Sequence, residues 1–321
     1  MGTEAFCKED EIKKAARALK DGHLVAFPTE TVYGLGADAM NEESVNRIYG
    51  VKGRPVHHPL IVHIASIDLI NNWAVEIPEY AVKLAKDFWP GPMTLILKRS
   101  NLAKDFITGK QNNIGLRVPS HSVSQSLLAE FSALGGLGIA APSANRFGSL
   151  SPTTASAVIE EIADYLSSND LILNGGECLV GIESTIINCL GVTPSILRPG
   201  FITTEMIKWS TGKKEVFQNN IENVRASGLL KSHYAPKAKV TVSSTAQPGE
   251  GFIALDDVPS PNGSIRLASP VTIQDFAKQL YAALRSADEQ GLSQVKIAIP
   301  IGGGIAEAIK DRIYKAAANK D

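Results

Sequence analysis

The spacing of apolar residues alternates between a helical and a strand period over the first two hundred positions. Ile12, Ala15, Ala16 and Leu19 recur at helical spacing and Gly22 follows them, which predicts a first helix and its end. Leu24 to Phe27 is a short apolar run stopped by Pro28, the pattern of a buried strand. Asn41 stands where a helix carrying Val45 and Ile48 needs a cap. Four further strands are predicted over Leu60 to Ile64, Met93 to Leu97, Ile114 to Val118 and Gly138 to Ala141. Tyr80 to Phe88 reads as a helix running into the turn Trp89-Pro90-Gly91-Pro92. Thr153 to Ile162 reads as a helix, and Leu171 to Leu173, Ser184 to Cys189 and Ser195 to Leu197 as strands. Such alternation predicts an α/β fold, a sheet with helices packed against it.

The pattern weakens from residue 211 to residue 239. Lys213, Lys214, Gln218, Asn219 and Asn220 dominate, then Ser227-Gly228 and His233-Tyr234-Ala235-Pro236 follow. A polar stretch of this length predicts a linker or a functional loop. The pattern restarts with strands at Val240 to Val242, Gly251 to Leu255 and Val295 to Ile299. Phe276, Leu280, Ala283, Leu284 and Ala287 form one helical face, which Thr272 and Asp275 are placed to cap. Gly302-Gly303-Gly304 leads into a last helix carrying Ile305, Ile309 and Ile313. The expected organisation is a first domain over 1–210, a linker over 211–239 and a small second domain over 240–321.

Composition narrows the function classes. Hydrophobic residues make up 44%, enough for a buried core, and 32 Lys and Arg against 33 Asp and Glu leave a net charge of −1. A protein that holds nucleic acid everywhere by counterion release is thereby excluded, so an anionic ligand has to be met by local charge. No apolar run reaches the roughly 18 residues of a membrane helix. The charged start lacks the apolar core of a secretion signal, and a cytoplasmic protein without membrane contact is expected. Cys7, Cys178 and Cys189 share no close spacing, which argues against a disulfide framework or a zinc cluster.

Four segments place polar side chains where strands end. In Pro28 to Gly36, Thr29, Glu30 and Thr31 follow a buried strand, and Gly34 and Gly36 allow close backbone approach; a plain turn has the same composition. In Lys52 to Leu60, Lys52 and Arg54 flank a glycine, a point charge and a planar fork suited to phosphate oxygens; a solvated basic loop is the alternative. His57, His58 and His63 lack a carboxylate or thiol at metal-site spacing, so a hydrogen-bonding neutral His63 is expected, with no metal held by protein side chains. Arg117 stands inside an apolar strand and needs an anion there, either a ligand carboxylate or an internal acid. Ser143 and Asn145 follow another strand, and Ser151 is either a donor or a helix cap. The fourth segment is Gly181 to Ile186, with Arg198-Pro199-Gly200 ending the next strand. No Gly-x-x-x-x-Gly-Lys-Ser/Thr loop occurs, since Gly176 and Gly181 are followed by Ile182-Glu183.

These segments, in this order, resemble the YrdC-type domain: Pro28 to Gly36, Lys52 to His63, Arg117-Val118-Pro119, Pro142 to Gly148, Gly181 to Ile186 and Arg198-Pro199-Gly200. His233-Tyr234-Ala235-Pro236 and the small C-terminal domain resemble the long, two-domain form, the threonylcarbamoyl-AMP synthases. The resemblance implies a twisted mixed sheet with flanking helices and a basic concave cleft, followed by a Rossmann-like domain. The implied reaction joins L-threonine, bicarbonate and ATP into threonylcarbamoyl-adenylate and pyrophosphate, with Mg²⁺ accompanying ATP. Its product goes to a transferase complex that modifies the adenosine beside the anticodon in tRNA. Carried over by motif, Thr31, His63, Arg117, Ala141 and Ser184 are expected at threonine. Lys52, Arg54, His58, Asn113, Ser143, Asn145, Ser151, Arg198 and Tyr234 are expected at ATP, with Lys52 and Arg54 stabilising charge and no protein nucleophile or base. The polar linker is expected to close over the cleft as a lid. The alternatives are an RNA-binding module without catalysis, in which weak RNA contact is the main role, or carbamoyl transfer as in hydrogenase maturation. The latter family's Cys-x-x-Cys modules do not appear in this chain.

Overall fold

The computed structural model describes residues 7–218, 224–229 and 234–318. His233 of the expected His-Tyr-Ala-Pro motif lies outside them. In chain order the first part contains α1 (Glu9–Lys20), β1 (Val25–Phe27), β2 (Gly34–Asp38), α2 (Glu42–Lys52), β3 (Ile61–His63), α3 (Ile70–Trp73), α4 (Glu79–Phe88) and β4 (Met93–Lys98). It continues through α5 (Asp105–Thr108), β5 (Asn113–Arg117), α6 (Ser122–Ala133), β6 (Ile139–Ala140), α7 (Ala155–Ile162), β7 (Leu171–Ile172), β8 (Thr185–Asn188), β9 (Ser195–Arg198), α8 (Thr204–Thr211) and β10 (Phe217–Gln218). The second part contains β11 (Lys239–Val242), β12 (Gly251–Ile253), β13 (Ile265–Ala268), α9 (Ile273–Glu289), β14 (Gln294–Ile297) and α10 (Ile305–Ala317).

Local chemistry sets the element ends that matter for the site. Asn41 caps α2, its side chain accepting from Ser44 N at 3.1 Å. Gly53 ends that helix at φ +60°, the left-handed turn that favours glycine. That turn sends Lys52 and Arg54, on either side of it, into the interior. Thr272 and Asp275 form the capping box of α9 as the spacing predicts.

The first ten strands form one mixed sheet in the order β10-β9-β8-β4-β5-β3-β6-β2-β1-β7. β3 and β5 run parallel with His63 opposite Arg117, and β8 and β9 run antiparallel with Ile186 opposite Arg198. Strand pleating therefore turns these side chains to one sheet face, which becomes the floor of the site. The second sheet is all parallel, β11-β14-β12-β13, with α9 packed on β12 and β13 and α10 on β11.

A single apolar cluster joins the two parts. Val32, Leu150 and Ile182 from the first pack with Phe276, Leu280, Tyr281 and Ile309 from the second, and Tyr234 sits between them. The linker's described residues 224–229 lie back across the large sheet, where Val224, Ala226 and Leu229 cover Ile61, Ile96 and Ile186.

Several elements depart from the sequence pattern, and three of these departures bear on the large sheet and its cover. Gly34–Asp38 is a strand rather than part of a turn: both its faces are buried between β1 and β6, so no alternation marks it. Ser122–Ala133 forms α6, whose Val123, Leu127, Leu128 and Phe131 are its buried face. The large sheet also extends past residue 210, because β10 adds to β9 and α8 precedes it.

Candidate active site

The expected cations converge. Lys52, Arg54, Arg117 and Arg198 line one chamber on the face of the large sheet, together with Thr31, His63, Ala141, Ser143, Asn145, Ser184 and Tyr234. The atom-free space between these side chains, with the open solvent at the mouth counted in, is about 600 Å³. Among the described residues of the chamber's lining, Glu183 is the carboxylate.

One wall is the segment after β1. Thr29 Oγ1 donates to Val32 O at 2.7 Å and lies 2.8 Å from Thr31 Oγ1, so a local turn presents both hydroxyls inward. Beside it, Arg117 Nη2 donates to Glu30 Oε1 at 2.6 Å and Arg117 Nε to Gly91 O at 3.3 Å. The anion that the buried arginine requires is thus partly internal. His63 next to it is buried, and burial together with the Arg117 charge pulls its imidazole down to about 3, leaving the ring neutral.

The opposite wall is more basic. Burial draws the Arg54 guanidinium down to about 10. Arg54 Nη2 donates to Pro59 O and to Ser227 Oγ of the linker, both at 3.1 Å. Arg198 donates to Ser184 O from Nε at 3.1 Å and from Nη2 at 2.9 Å, and to Ser227 O from Nη1 at 3.0 Å. Ser184 Oγ in turn lies 2.8 Å from Thr94 Oγ1. Lys52 is buried, and its Nζ donates to Ser143 O at 2.6 Å and to Asn145 O, so it braces the loop as well as charging the chamber. Burial, then the nearby Arg54 charge, draws its ammonium well below the usual lysine range.

Three expected contacts stand off the lining. Ser151 donates to Glu183 Oε1 at 2.6 Å and reaches the chamber through that carboxylate. His58 is half-buried, its ring 5.5 Å from Phe147, which does line the chamber; burial and Arg54 pull it down to about 4. Asn113 is buried at the start of β5, at the other end of the strand from Arg117. Lining residues to which the sequence analysis gave no ligand role include Thr29, Phe147, Glu183 and Ser227. Glu183 carried a signal, a carboxylate between a buried isoleucine and a hydroxyl pair; Ser227 of the polar linker carried none.

The linker occupies the basic side in this conformation. Arg225 N donates to Gln111 Oε1 at 2.7 Å and Gln111 Nε2 donates back to Arg225 O at 3.0 Å, which pins residue 225 to the rim. Tyr234 adopts φ +60°, strained backbone for a bulky side chain. Three buried atoms on residues lining the chamber have no hydrogen-bond partner among the described residues: Arg54 Nε, His63 Nδ1 and Asn145 Oδ1. Buried polar atoms are otherwise nearly always paired, so three such atoms on residues that line one chamber mark a place for a polar ligand.

The fold and chamber define a two-domain α/β protein with a basic YrdC-type cleft closed by its own linker. Residues 17–200 match the family described as "Telomere recombination", the Sua5, YciO and YrdC proteins. Residues 202–318 match the threonylcarbamoyl-AMP synthase C-terminal domain. The chain is 37% identical to threonylcarbamoyl-AMP synthase of Pyrococcus abyssi, over 96% of this chain and 94% of that one. It is 34% identical to the Bacillus subtilis threonylcarbamoyl-AMP synthase, over 99% and 96%. A crystal structure of P. abyssi Sua5 complexed with L-threonine superposes with a TM-score of 0.86 at 35% identity, covering 97% of this chain and 95% of that one. The chain belongs to the threonylcarbamoyl-AMP synthase family. That membership makes it an enzyme of the transferase class.

Proposed function

We propose that this protein makes L-threonylcarbamoyladenylate from L-threonine, bicarbonate and ATP, releasing pyrophosphate, as a nucleotidyltransferase serving threonylcarbamoyladenosine modification of tRNA. The observation that carries the reading is that four cationic side chains line one chamber, and that three of its lining residues carry a buried polar atom without a partner among the described residues. The P. abyssi relative was solved with L-threonine, which supports an amino-acid site at the corresponding place.

Threonine would sit against Thr31, His63, Arg117, Ala141 and Ser184, its carboxylate toward Arg117 and its amine toward the chamber's middle. The amine takes up CO₂ derived from bicarbonate, losing a proton, and gives a carbamate. A carbamate oxygen then attacks the α-phosphorus and pyrophosphate leaves with the electron pair of the broken P–O bond. Neutral His63 can accept a hydrogen bond without adding charge beside Arg117. Arg54, Arg198 and Lys52 offset charge on the phosphates, and the ordered walls hold the reacting atoms in line, so no protein nucleophile is needed.

ATP would lie along Arg54, Ser143, Asn145, Arg198 and Tyr234, with Ser151 held ready by Glu183. Ser227 now covers Arg54 and Arg198, so this part of the linker has to lift for the nucleotide to enter. Its return would shield the carbamate and adenylate from water. Magnesium would arrive on the triphosphate, whose oxygens are its natural ligands, and would neutralise phosphate charge. The Glu183 carboxylate is already taken by Ser151, Tyr281 and Arg312. Among the described residues no helix is long and apolar enough to cross a membrane. Handover of the product to a tRNA threonylcarbamoyl-transferase complex in the cytoplasm completes the reading.

Calorimetric titration tests the division of the chamber. Arg54→Ala is expected to weaken ATP binding at least about ten-fold, a loss of about 1.4 kcal/mol, while changing threonine affinity little. Arg117→Ala is expected to do the reverse. Equal effects of both substitutions on both ligands would contradict the assignment.

A further inference from the structure

The second domain reaches into the chamber wall of the first. Glu183, just before β8, is buried, and three side chains donate to its carboxylate. Ser151 Oγ donates at 2.6 Å, Tyr281 OH lies 3.1 Å from each oxygen, and Arg312 Nε donates at 2.7 Å. Tyr281 belongs to α9 and Arg312 to α10, so two of the three side chains that hold this carboxylate come from the other domain. Arg312 has no exposed surface. Its Nη2 donates to Pro199 O at 3.1 Å, next to Arg198, and its guanidinium carbon lies 5.3 Å from the centroid of the Tyr234 ring.

The contact between the domains is tight at the same place. Gly181 has φ +79°, and a Cβ added there would lie 2.4 Å from Lys278 Cα of α9. The segment Gly181 to Ser184 is thus shaped around the second domain.

A buried ion pair is not explained by stability, because desolvating both charges costs about as much as their attraction returns. Position explains it better. Glu183 lines a chamber read as the site of a triphosphate, where a bare carboxylate would repel the ligand. Paired with Arg312, the same carboxylate becomes an anchored acceptor that fixes the Ser151 hydroxyl, while the guanidinium seats the Tyr234 ring.

We propose that Arg312 is a positioning residue for the nucleotide half of the site, acting from the second domain through Glu183 and Tyr234. This rests on the reading of the chamber as the ATP site and assigns the C-terminal domain a part in completing it. Burial by itself would push the Glu183 carboxyl up; Arg312 first, then Arg198 and the Ser151 hydrogen bond, outweigh it and hold it at about 2. The groups facing Glu183 are Ser151, Arg198 of β9, Tyr234 of the linker, Tyr281 of α9 and Arg312 of α10, with Asp311 behind Arg312.

The test uses the full chain and four forms: wild type, R312M, E183Q and R312M/E183Q. ATP and threonine affinities, the melting temperature and the pH dependence of kcat/KM for ATP are measured on each. R312M is expected to weaken ATP at least about ten-fold, to leave threonine within about two-fold, and to move the acid limb of the profile to higher pH. The double variant, which removes both charges together and so keeps a fold that R312M alone strains, is expected to bind ATP no worse than about two-fold below E183Q. ATP and threonine affinities falling together, or losses that multiply in the double variant, would overturn the role of Arg312. A wild-type chain that binds neither ligand would instead contradict the functional reading and this inference with it.

Discussion

Arg117 and Glu30 form a buried ion pair in the chamber wall, with Nη2 2.6 Å from Oε1 and both side chains almost wholly covered. Glu30 Oε2 also accepts from Ser120 N at 3.0 Å, so the acid ties the end of β5 to the segment after β1. Arg117→Ala leaves that carboxylate buried without its cation. A loss of about 3–5 kcal/mol is expected, on the order of 10 °C in melting temperature for a domain of this size. Thermal melts of Arg117→Ala and of Glu30→Gln check it, with the glutamine variant, which keeps an acceptor, falling less. Equal melting temperatures for wild type and Arg117→Ala would show the pair to be idle.

Gly228 sets the linker against Tyr234 and Arg198. Its φ is +77°, and an added Cβ would lie 2.1 Å from the Tyr234 hydroxyl and 3.1 Å from Arg198 Nη1. Gly228→Ala therefore has to displace either the linker or the Tyr234 ring. The expected result is ATP consumption that outruns adenylate formation, read as a rise in pyrophosphate released per product made. Unchanged coupling would mean that the linker does not shield the site.

His63 gives the fold an acid-sensitive element. Its folded value of about 3 lies below the ordinary value of 6.5, so the unfolded chain binds more protons. The resulting stability is full above about pH 6.5 and is lost as the pH falls toward 3. At pH 5 the loss from this residue is about 2 kcal/mol. His58, half-buried and also depressed, adds a smaller slope in the same window. Denaturant melts at pH 7 and pH 5 are expected to differ less in His63→Gln than in wild type. An identical difference would place the acid sensitivity elsewhere.

Legibility followed the physics of each element. α1, β4, β5 and α9 were readable because one buried face or two gives a clear apolar period. β2 was not: Gly34-Leu35-Gly36-Ala37-Asp38 has no alternation, and Gly36 is needed where a Cβ would press within 2.8 Å of Phe27. β13 is short, and Arg266 spends its guanidinium on the carbonyls of Ala254 and Leu255, which no local pattern announces. In the site, single residues at strand ends were ambiguous, and only the order of the motifs tied Lys52, Arg54, Arg117 and Arg198 together. The partners that temper these cations were out of reach, because Glu30 for Arg117 and the carbonyls of Ser143 and Asn145 for Lys52 are set by tertiary contact. So was Arg312, which from the sequence is one more charge on an amphipathic helix.

The most direct test is to incubate the full chain with ATP, Mg²⁺, bicarbonate and L-threonine, and to follow pyrophosphate together with the adenylate by mass spectrometry. Pyrophosphate release that needs both threonine and bicarbonate, with one threonylcarbamoyl-adenylate formed per pyrophosphate, is the expected result. Release indifferent to threonine, or no adenylate at all from folded protein, would contradict it.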